Sequence, residues 1–526
     1  MRHLLAAASL AVLAACATTA PAPAADLPDA PLAPVREAVL PKQAADAYYV
    51  QAAGAVEHRI EARGVKPAKN VILFIGDGMG VSTITATRIY AGQSLGEDGE
   101  SHVLAMDTLP YSALSKTYSH DFQIADSAAT ATAMTAGMKT RSGVLGVTSD
   151  IAYGNCASLP GTEGDSLFEL ASRAGLAVGV VSTARITHAT PAATYAKVAH
   201  RDWESDTDMR GASSDSCRDI ARQLIESPID FDIVLGGGRS KFLPKDITDP
   251  EYPDQKGARS DGRNLVDEWT AKDASHTFVF DEAGFAATDF STDVKVLGLF
   301  EPSHMQFELD RDKDKAGEPS LAEMTKAAIT RLSQDEDGYI LMVEGGRIDH
   351  GHHAGNAIRA LEDAMAFDAA IAAALEMTNA DDTLIIVTAD HSHTLTISGY
   401  AKRGNPILGL SVSGEGGEGG STGDGLPYTT LSYANGPGAC HVSGKDKDGK
   451  DIISCTRQDL TNVDTLAPDF RQPALVPMYS ETHGGEDVAA LASGPGSNLL
   501  TGVIEENEIF HVMGRALGLI PAPATE

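Results

Sequence analysis

At 526 residues the chain is either about three average domains or one large α/β domain carrying insertions. Apolar residues make up 43% and charged residues 22%, which excludes a disordered or fibrous chain. Lys and Arg total 41 against 73 Asp and Glu, a net charge of −32 that repels a nucleic-acid backbone and leaves an anionic substrate in need of strong local positive charge. Metal ions are the obvious source of that charge.

The first elements predict export. Met1-Arg2-His3, an apolar run from Leu4 to Ala15 and then Cys16 have the form of a secretory signal over residues 1–15. Leu13-Ala14-Ala15-Cys16 resembles a bacterial lipobox, in which Cys16 is lipidated and becomes the new N-terminus. This predicts a chain anchored to a membrane by lipid, on the periplasmic or cell-surface side. No other stretch is apolar for the ~18 residues that a membrane span needs. The Ala-, Pro- and Thr-rich residues that follow, to about 42, read as a flexible tether.

From there strand and helix signals alternate. Asn70 to Ile75, Val178 to Val181, Val296 to Phe300, Ile340 to Val343 and Leu384 to Val387 are short apolar runs. Between them lie amphipathic patterns such as Leu321 to Leu332 and Ile358 to Met377. Continuous apolar strands alternating with helices predict the α/β class, a mostly parallel sheet with helices on both faces. The segment 397–480 breaks the pattern with a Gly-rich tract from Gly414 to Gly425 and reads as a β-rich insertion. The mixed-charge stretches Asp310 to Asp314 and Lys445 to Asp451 lack the spacing of a calcium loop and read as solvated surface.

Ligands of open α/β sheets bind beyond the carboxyl ends of the strands. Asp77 follows the first run; Glu344, Asp349, His350, His352 and His353 follow another; Asp390, His391 and His393 follow a third. Three strands that deliver carboxylates and imidazoles to one rim predict a metal site. Mixed Asp/His ligands suit zinc, and there are enough of them for paired ions, a known device for phosphoryl displacement. Ser127, in Asp126-Ser127-Ala128-Ala129, sits at a predicted helix start, where main-chain amides favour an anion. Beside zinc its hydroxyl needs no histidine base. Five cysteines become four once Cys16 carries lipid, and in an exported chain an even remainder suggests disulfides. Four allow three pairings. Sequence alone does not choose among them; a local loop closed by Cys440 and Cys455, which flank a turn-rich segment, would leave Cys156 with Cys217 by default.

These residues resemble the alkaline phosphatase family, its animal-type branch in particular. The resemblance is carried by NVILFIGDGMG (70–80), DSAATATAM (126–134), THATPAATYA (187–196), HRDWESD (200–206), LGLFEP (297–302), VEGGRIDHGHHAGN (343–356), VTADHSHT (387–394) and ETHGGEDVA (481–489). It spans about residues 43–520, with a core at 43–396, a crown-like insertion at 397–480 and the rest of the core at 481–526.

The resemblance implies that Ser127 is the nucleophile, carrying a phosphoserine intermediate, and that Arg201 clamps the phosphate. It implies one zinc on Asp349, His353 and His483 and a second on Asp77, Asp390 and His391. A magnesium on Asp77, Thr190 and Glu344, beside His188, and a structural calcium on Glu251, the Phe300 carbonyl, Glu301 and Glu318 are implied as well. A Cys156–Cys217 disulfide fits that branch. The expected activity is hydrolysis of small phosphate monoesters, with a homodimer left open beside a monomer. The rival readings are a phosphodiesterase or sulfatase of the same superfamily and a non-catalytic lipoprotein that captures zinc or phosphate. Ser127 lacks the Pro and Arg spacing of a sulfatase, and Thr190 with Glu344 supplies a third metal site that diesterases generally lack.

Overall fold

The computed structural model describes residues 36–523 apart from 211, 213, 215, 216 and 414–421. The expected leader, Cys16 and the tether up to residue 35 lie outside the described residues, as does most of the Gly-rich tract. Contacts with the folded body begin earlier than the expected boundary at 43. Arg36 donates to the carbonyls of Ala68 (3.3 Å), Lys69 (3.2 Å) and Leu517 (3.0 Å), and the Val39 N–H donates to Leu519 O.

Eight strands precede the insertion: β1 (Asn70–Gly76), β2 (Tyr111–Lys116), β3 (Ala177–Arg185), β4 (Phe231–Gly237), β5 (His276–Val279), β6 (Lys295–Leu299), β7 (Tyr339–Gly345) and β8 (Thr383–Thr388). The short β9 (Ser392–His393) and β10 (Leu395–Ile397) lead into β11 (Leu431–Gly436), β12 (His441–Lys445), β13 (Asp451–Ser454) and β14 (Ala474–Pro477). The chain then returns through β15 (His483–Gly484), β16 (Val488–Ser493) and β17 (Gly502–Glu505). Ten strands form one sheet in the order β17-β2-β16-β8-β1-β7-β3-β4-β6-β5. Pairing in it is parallel except at β16, which runs antiparallel to both β2 and β8.

The apolar runs are continuous because both faces of the sheet are covered. Val71, Leu73 and Ile75 of β1 point into one core with Phe168, Ile220, Ile509 and Phe510. Ile72 and Phe74 point into the other, with Leu321, Met324, Phe367 and Ile371. The helix Leu321–Leu332 has the bounds its period predicts, and its Ser320/Glu323 capping box fixes the start. Helix Ala357–Met377 starts one residue before the predicted run, with Asn356 as its cap.

The insertion carries a three-stranded sheet in the order β10-β11-β14 and the separate hairpin β12-β13. Its base, including Leu395, Ile407, Leu408, Leu431 and Tyr433, packs on Ala86, Ala357 and Leu361 of two core helices. Both disulfides named from the sequence are present, Cys156–Cys217 and Cys440–Cys455, the latter closing the hairpin. Among the described residues no helix is long and apolar enough to cross a membrane.

Candidate active site

Register brings the acidic groups together before any side chain turns. Ile75 of β1 lies opposite both Glu344 of β7 and Thr388 of β8, and Ser182 of β3 lies opposite Glu344 from the other side. Asp77 and Asp390, one and two residues past the ends of β1 and β8, therefore share a rim with Glu344. Gly78 has φ +69°, and a Cβ there would meet the His393 ring at 2.3 Å, so only glycine lets the chain turn beneath that imidazole. Helix Arg347–His353 starts directly after β7 and places Asp349 and His353 on one face, four residues apart. β15 pairs with β9, which sets His483 beside His393.

Ser127 opens a ten-residue helix, Ser127–Ala136, in which every residue is buried. Asp126, not Ser127, is its cap, so the serine occupies the first helical position with its Oγ free to face the rim. The helix ends at Gly137, φ +72°, where a Cβ would strike Phe510 at 2.5 Å.

The donor atoms fall into two sets with similar spacing. In one, Ser127 Oγ lies 3.4 Å from Asp77 Oδ1 and 3.2 Å from His391 Nε2, and His391 Nε2 lies 3.4 Å from Asp77 Oδ1 and from Asp390 Oδ2. In the other, His353 Nε2 is 3.2 Å from His483 Nε2 and 3.3 Å from Asp349 Oδ1, with His483 Nε2 3.6 Å from the same oxygen. Ligands ~2.0 Å from a tetrahedral ion stand about 3.3 Å apart, so both sets suit zinc-sized cations, and the serine oxygen is a corner of the first. His393, unassigned at the sequence level, differs. Its Nε2 is 2.7 Å from Asp349 Oδ1 and its Nδ1 2.5 Å from Glu481 Oε2, hydrogen-bond distances rather than ligand spacings.

Charge strengthens the case for cations. Burial, then the neighbouring Asp390, Asp349 and Glu344, push the Asp77 carboxyl well above its usual range. Burial lifts Glu344 to about 8, with Asp390 and Asp349 adding to the rise. His391 is held down to about 3, chiefly by burial, and so presents a neutral ring to an ion. Burial pulls His393 down too, but the carboxylates of Asp349 and Glu481 outweigh it and lift the ring to about 10.

A third set, Asp77, His188 and Glu344, holds three buried atoms with no hydrogen-bond partner: Asp77 Oδ2, His188 Nδ1 and Glu344 Oε1. Thr190, in the short helix Ala189–Ala192, is buried beside them with an equally unpaired Oγ1. Unsatisfied oxygens of this kind are what a hard cation requires. Arg201 reaches the rim from its loop, donating from Nη1 to Asp126 Oδ2 at 2.9 Å and lying 3.3 Å from His188 Nε2 through Nη2. His188 also groups with His350 and with His304, a residue the sequence reading passed over, but Arg185 contacts both ring nitrogens of His304, at 3.2 and 2.5 Å.

A buried serine hydroxyl, paired cation-sized sets and an arginine meet at one strand-end rim. The alkaline phosphatase family profile matches residues 68–519. The chain belongs to the alkaline phosphatase family. It is 44% identical over 461 residues to the tissue-nonspecific alkaline phosphatase of Gallus gallus, covering 86% of this chain and 85% of that protein. To the alkaline phosphatase of Gadus morhua it is 44% identical over 455 residues, 85% of this chain and 91% of the other. The solved alkaline phosphatase of the Antarctic bacterium TAB5 superposes with a TM-score of 0.58 at 26% identity, covering 87% of this chain and all of that one. That of Thermus thermophilus gives 0.61 at 25%, covering 88% and 93%. The chain is thus a metal-dependent hydrolase of phosphate monoesters.

Away from the rim lies the acidic group that the family resemblance assigned to calcium. Glu251 and Glu301 come together here with Asp314, and Glu318 stays outside this set. The Gln306 N–H donates to Glu318 Oε1 at 2.9 Å, while Glu318 Oε2 is buried without a hydrogen-bond partner, and Asp314 follows the turn Glu308–Lys313. The stretch read as solvated surface therefore contributes a buried carboxylate oxygen: Glu251 Oε1 and Asp314 Oδ2 are both buried without a hydrogen-bond partner. The Phe300 carbonyl accepts from Arg239 at 3.0 Å.

Proposed function

We propose that this phosphomonoesterase works by double displacement through Ser127, with Arg201 as the clamp. The observation that carries it is the place of Ser127 Oγ, 3.4 Å from Asp77 Oδ1 and 3.2 Å from His391 Nε2, which itself lies 3.4 Å from Asp77 and from Asp390. Asp77, Asp390 and His391 would hold one zinc, Asp349, His353 and His483 a second, and Asp77, Thr190 and Glu344 a magnesium with His188 beside it. Glu251, Glu301 and Asp314 would hold a calcium. At the rim the ions supply the positive charge that lowers the serine and water pKa and neutralises the leaving oxygen.

The chain's own residues do the rest. The buried helix fixes Ser127 so that its Oγ attacks phosphorus in line, and the amides of the first helical turn face the developing anion. Arg201 forks onto two non-bridging oxygens, steadied by Asp126 on its far side. The resulting phosphoserine is then hydrolysed by water from the side the leaving group vacated. A loose phosphoryl transition state needs this positioning and charge more than covalent help. The leader and Cys16 place the enzyme outside the cytoplasm on a lipid anchor. Replacing Cys16 with Ser should abolish incorporation of labelled fatty acid, and labelling that persists removes the anchor.

The deciding experiment traps the intermediate. Wild-type protein quenched with a labelled monoester should carry phosphate on Ser127, and Ser127→Ala none. Covalent label on the Ala variant at wild-type turnover would overturn the assignment. Comparing an aryl monophosphate with its diester tests the rival diesterase.

A further inference from the structure

We propose that Glu481 is the positioning residue for the Asp349/His353/His483 group, holding all three arms from one point; this rests on the reading above that the group binds zinc. Glu481 is 1% exposed and sits two residues before His483, at the point where the insertion returns to the core. Its main chain brackets His353: its N–H donates to the His353 carbonyl at 3.0 Å, and its carbonyl lies 2.6 Å from His353 Nδ1. That contact leaves the other ring nitrogen, Nε2, facing the site.

The side chain handles the second arm. Glu481 Oε1 accepts from the N–H and the hydroxyl of Thr394, at 2.7 and 2.6 Å. Oε2 faces His393 Nδ1 at 2.5 Å, and His393 Nε2 reaches Asp349 Oδ1 at 2.7 Å. Both ring nitrogens of His393 thus face carboxylate oxygens, and the contact with Glu481 fixes the plane of the ring and its reach toward Asp349 from behind. The third arm follows through the chain, because Thr482 is locked between the N–H and hydroxyl contacts it makes with the Asn435 side chain. Asn435 lies on β11 and Glu481 follows β14, so the insertion is tied to the ligand group by side chains as well as by sequence. Among the described residues the Glu481 carboxylate has no Lys or Arg ion pair.

The test uses the full-length protein and cobalt, whose visible spectrum reports ligand geometry. Glu481→Ala should lose one of the two rim cobalts to a chelator at concentrations about 10- to 100-fold lower than wild type. Its cobalt spectrum should change while the Tm of the metal-stripped protein stays the same. Glu481→Gln keeps an acceptor for Thr394 but meets His393 with an N–H, and should show a smaller loss of the same kind. His393→Ala combined with Glu481→Ala should cost no more than the larger single loss, because one acts through the other. Additive losses, or wild-type retention and spectrum in Glu481→Gln, would overturn the proposal, and so would a lowered stripped-protein Tm with metal retention intact. If Glu481→Ala fails to accumulate, the Gln variant and its double with His393→Ala decide the matter alone. A wild type that takes up no cobalt refutes the metal reading instead.

Discussion

Arg201 shows how much of the chemistry hangs on single side chains. Its guanidinium is buried, which lowers its pKa, yet Asp126 more than restores it, so the charge is permanent and aimed. Arg201→Ala should weaken inhibition by inorganic phosphate about 10- to 100-fold, the range of one charge-assisted hydrogen-bonding group. Arg201→Lys should recover little of this, because a point charge cannot fork. Unchanged product inhibition in the Ala variant would remove the clamp. A second residue predicts pH behaviour. Burial lifts the Asp363 carboxyl to about 8, with Arg347 opposing the rise. Its unfolded pKa is ~3.9, so between about pH 4 and 8 folding takes up a proton and stability falls as pH rises. The slope is at most about 1.4 kcal/mol per pH unit. Asp363→Asn should flatten the fall of Tm between pH 5 and 8, and parallel Tm curves for the two proteins would refute it.

Among elements, the two disulfides make a contrasting pair. Cys156–Cys217 closes a span of 61 residues and joins segments next to the main core, with Cys217 itself buried. Cys440–Cys455 closes 15 residues around a hairpin whose Val442, Ile452 and Ile453 are exposed. Chain-entropy arguments give about 4 and 3 kcal/mol, and the exposed hairpin, with little packed against the core, is expected to open locally, so that only the first acts on global unfolding. Replacing Cys156 and Cys217 with Ser should lower Tm clearly, and the same change at Cys440 and Cys455 should leave it nearly unchanged; equal drops would show that the hairpin unfolds with the core.

Elements also show what a sequence can carry. The five apolar runs read as strands are strands, because burial on two faces writes itself into composition. Phe231–Gly237 escaped notice because Asp232 interrupts it, a charge held in the sheet by Arg331 on one oxygen and the Val178 N–H on the other, each at 2.9 Å. β2 and β16 alternate in burial and lie far apart in sequence, so neither announced its partner. The metal-binding residue types at the strand ends were legible for the same reason as the strands. The partnership of His393 with Glu481 was not, since it depends on where the chain comes back after a separation of 88 residues. Asp314 was hidden by a charged neighbourhood that looks like solvent-facing loop.

For the whole molecule, charge sets the terms. A chain of net charge −32 buries Asp77, Glu344, Asp349 and Asp390 within one rim, an arrangement that folding tolerates only with counter-charge. Removing metal with a chelator should abolish phosphate release and lower Tm by roughly 4 °C if binding contributes about 4 kcal/mol. Both should return on adding zinc and magnesium, and a Tm indifferent to chelation would show that the carboxylates are neutralised by other means.

The antiparallel β16 wedged between β2 and β8 bears on the order in which the molecule is made. A ribosome releases residues 70–388 with the central strands in hand but a gap in the sheet, and His483 and the filler strand emerge only afterwards. The helix Glu508–Ala516, packed against the helix that Ser127 opens, comes later still. A partly made chain therefore lacks His483 and the strand that fills the sheet, and its rim holds a full set of donors only when almost the last turn has been synthesised.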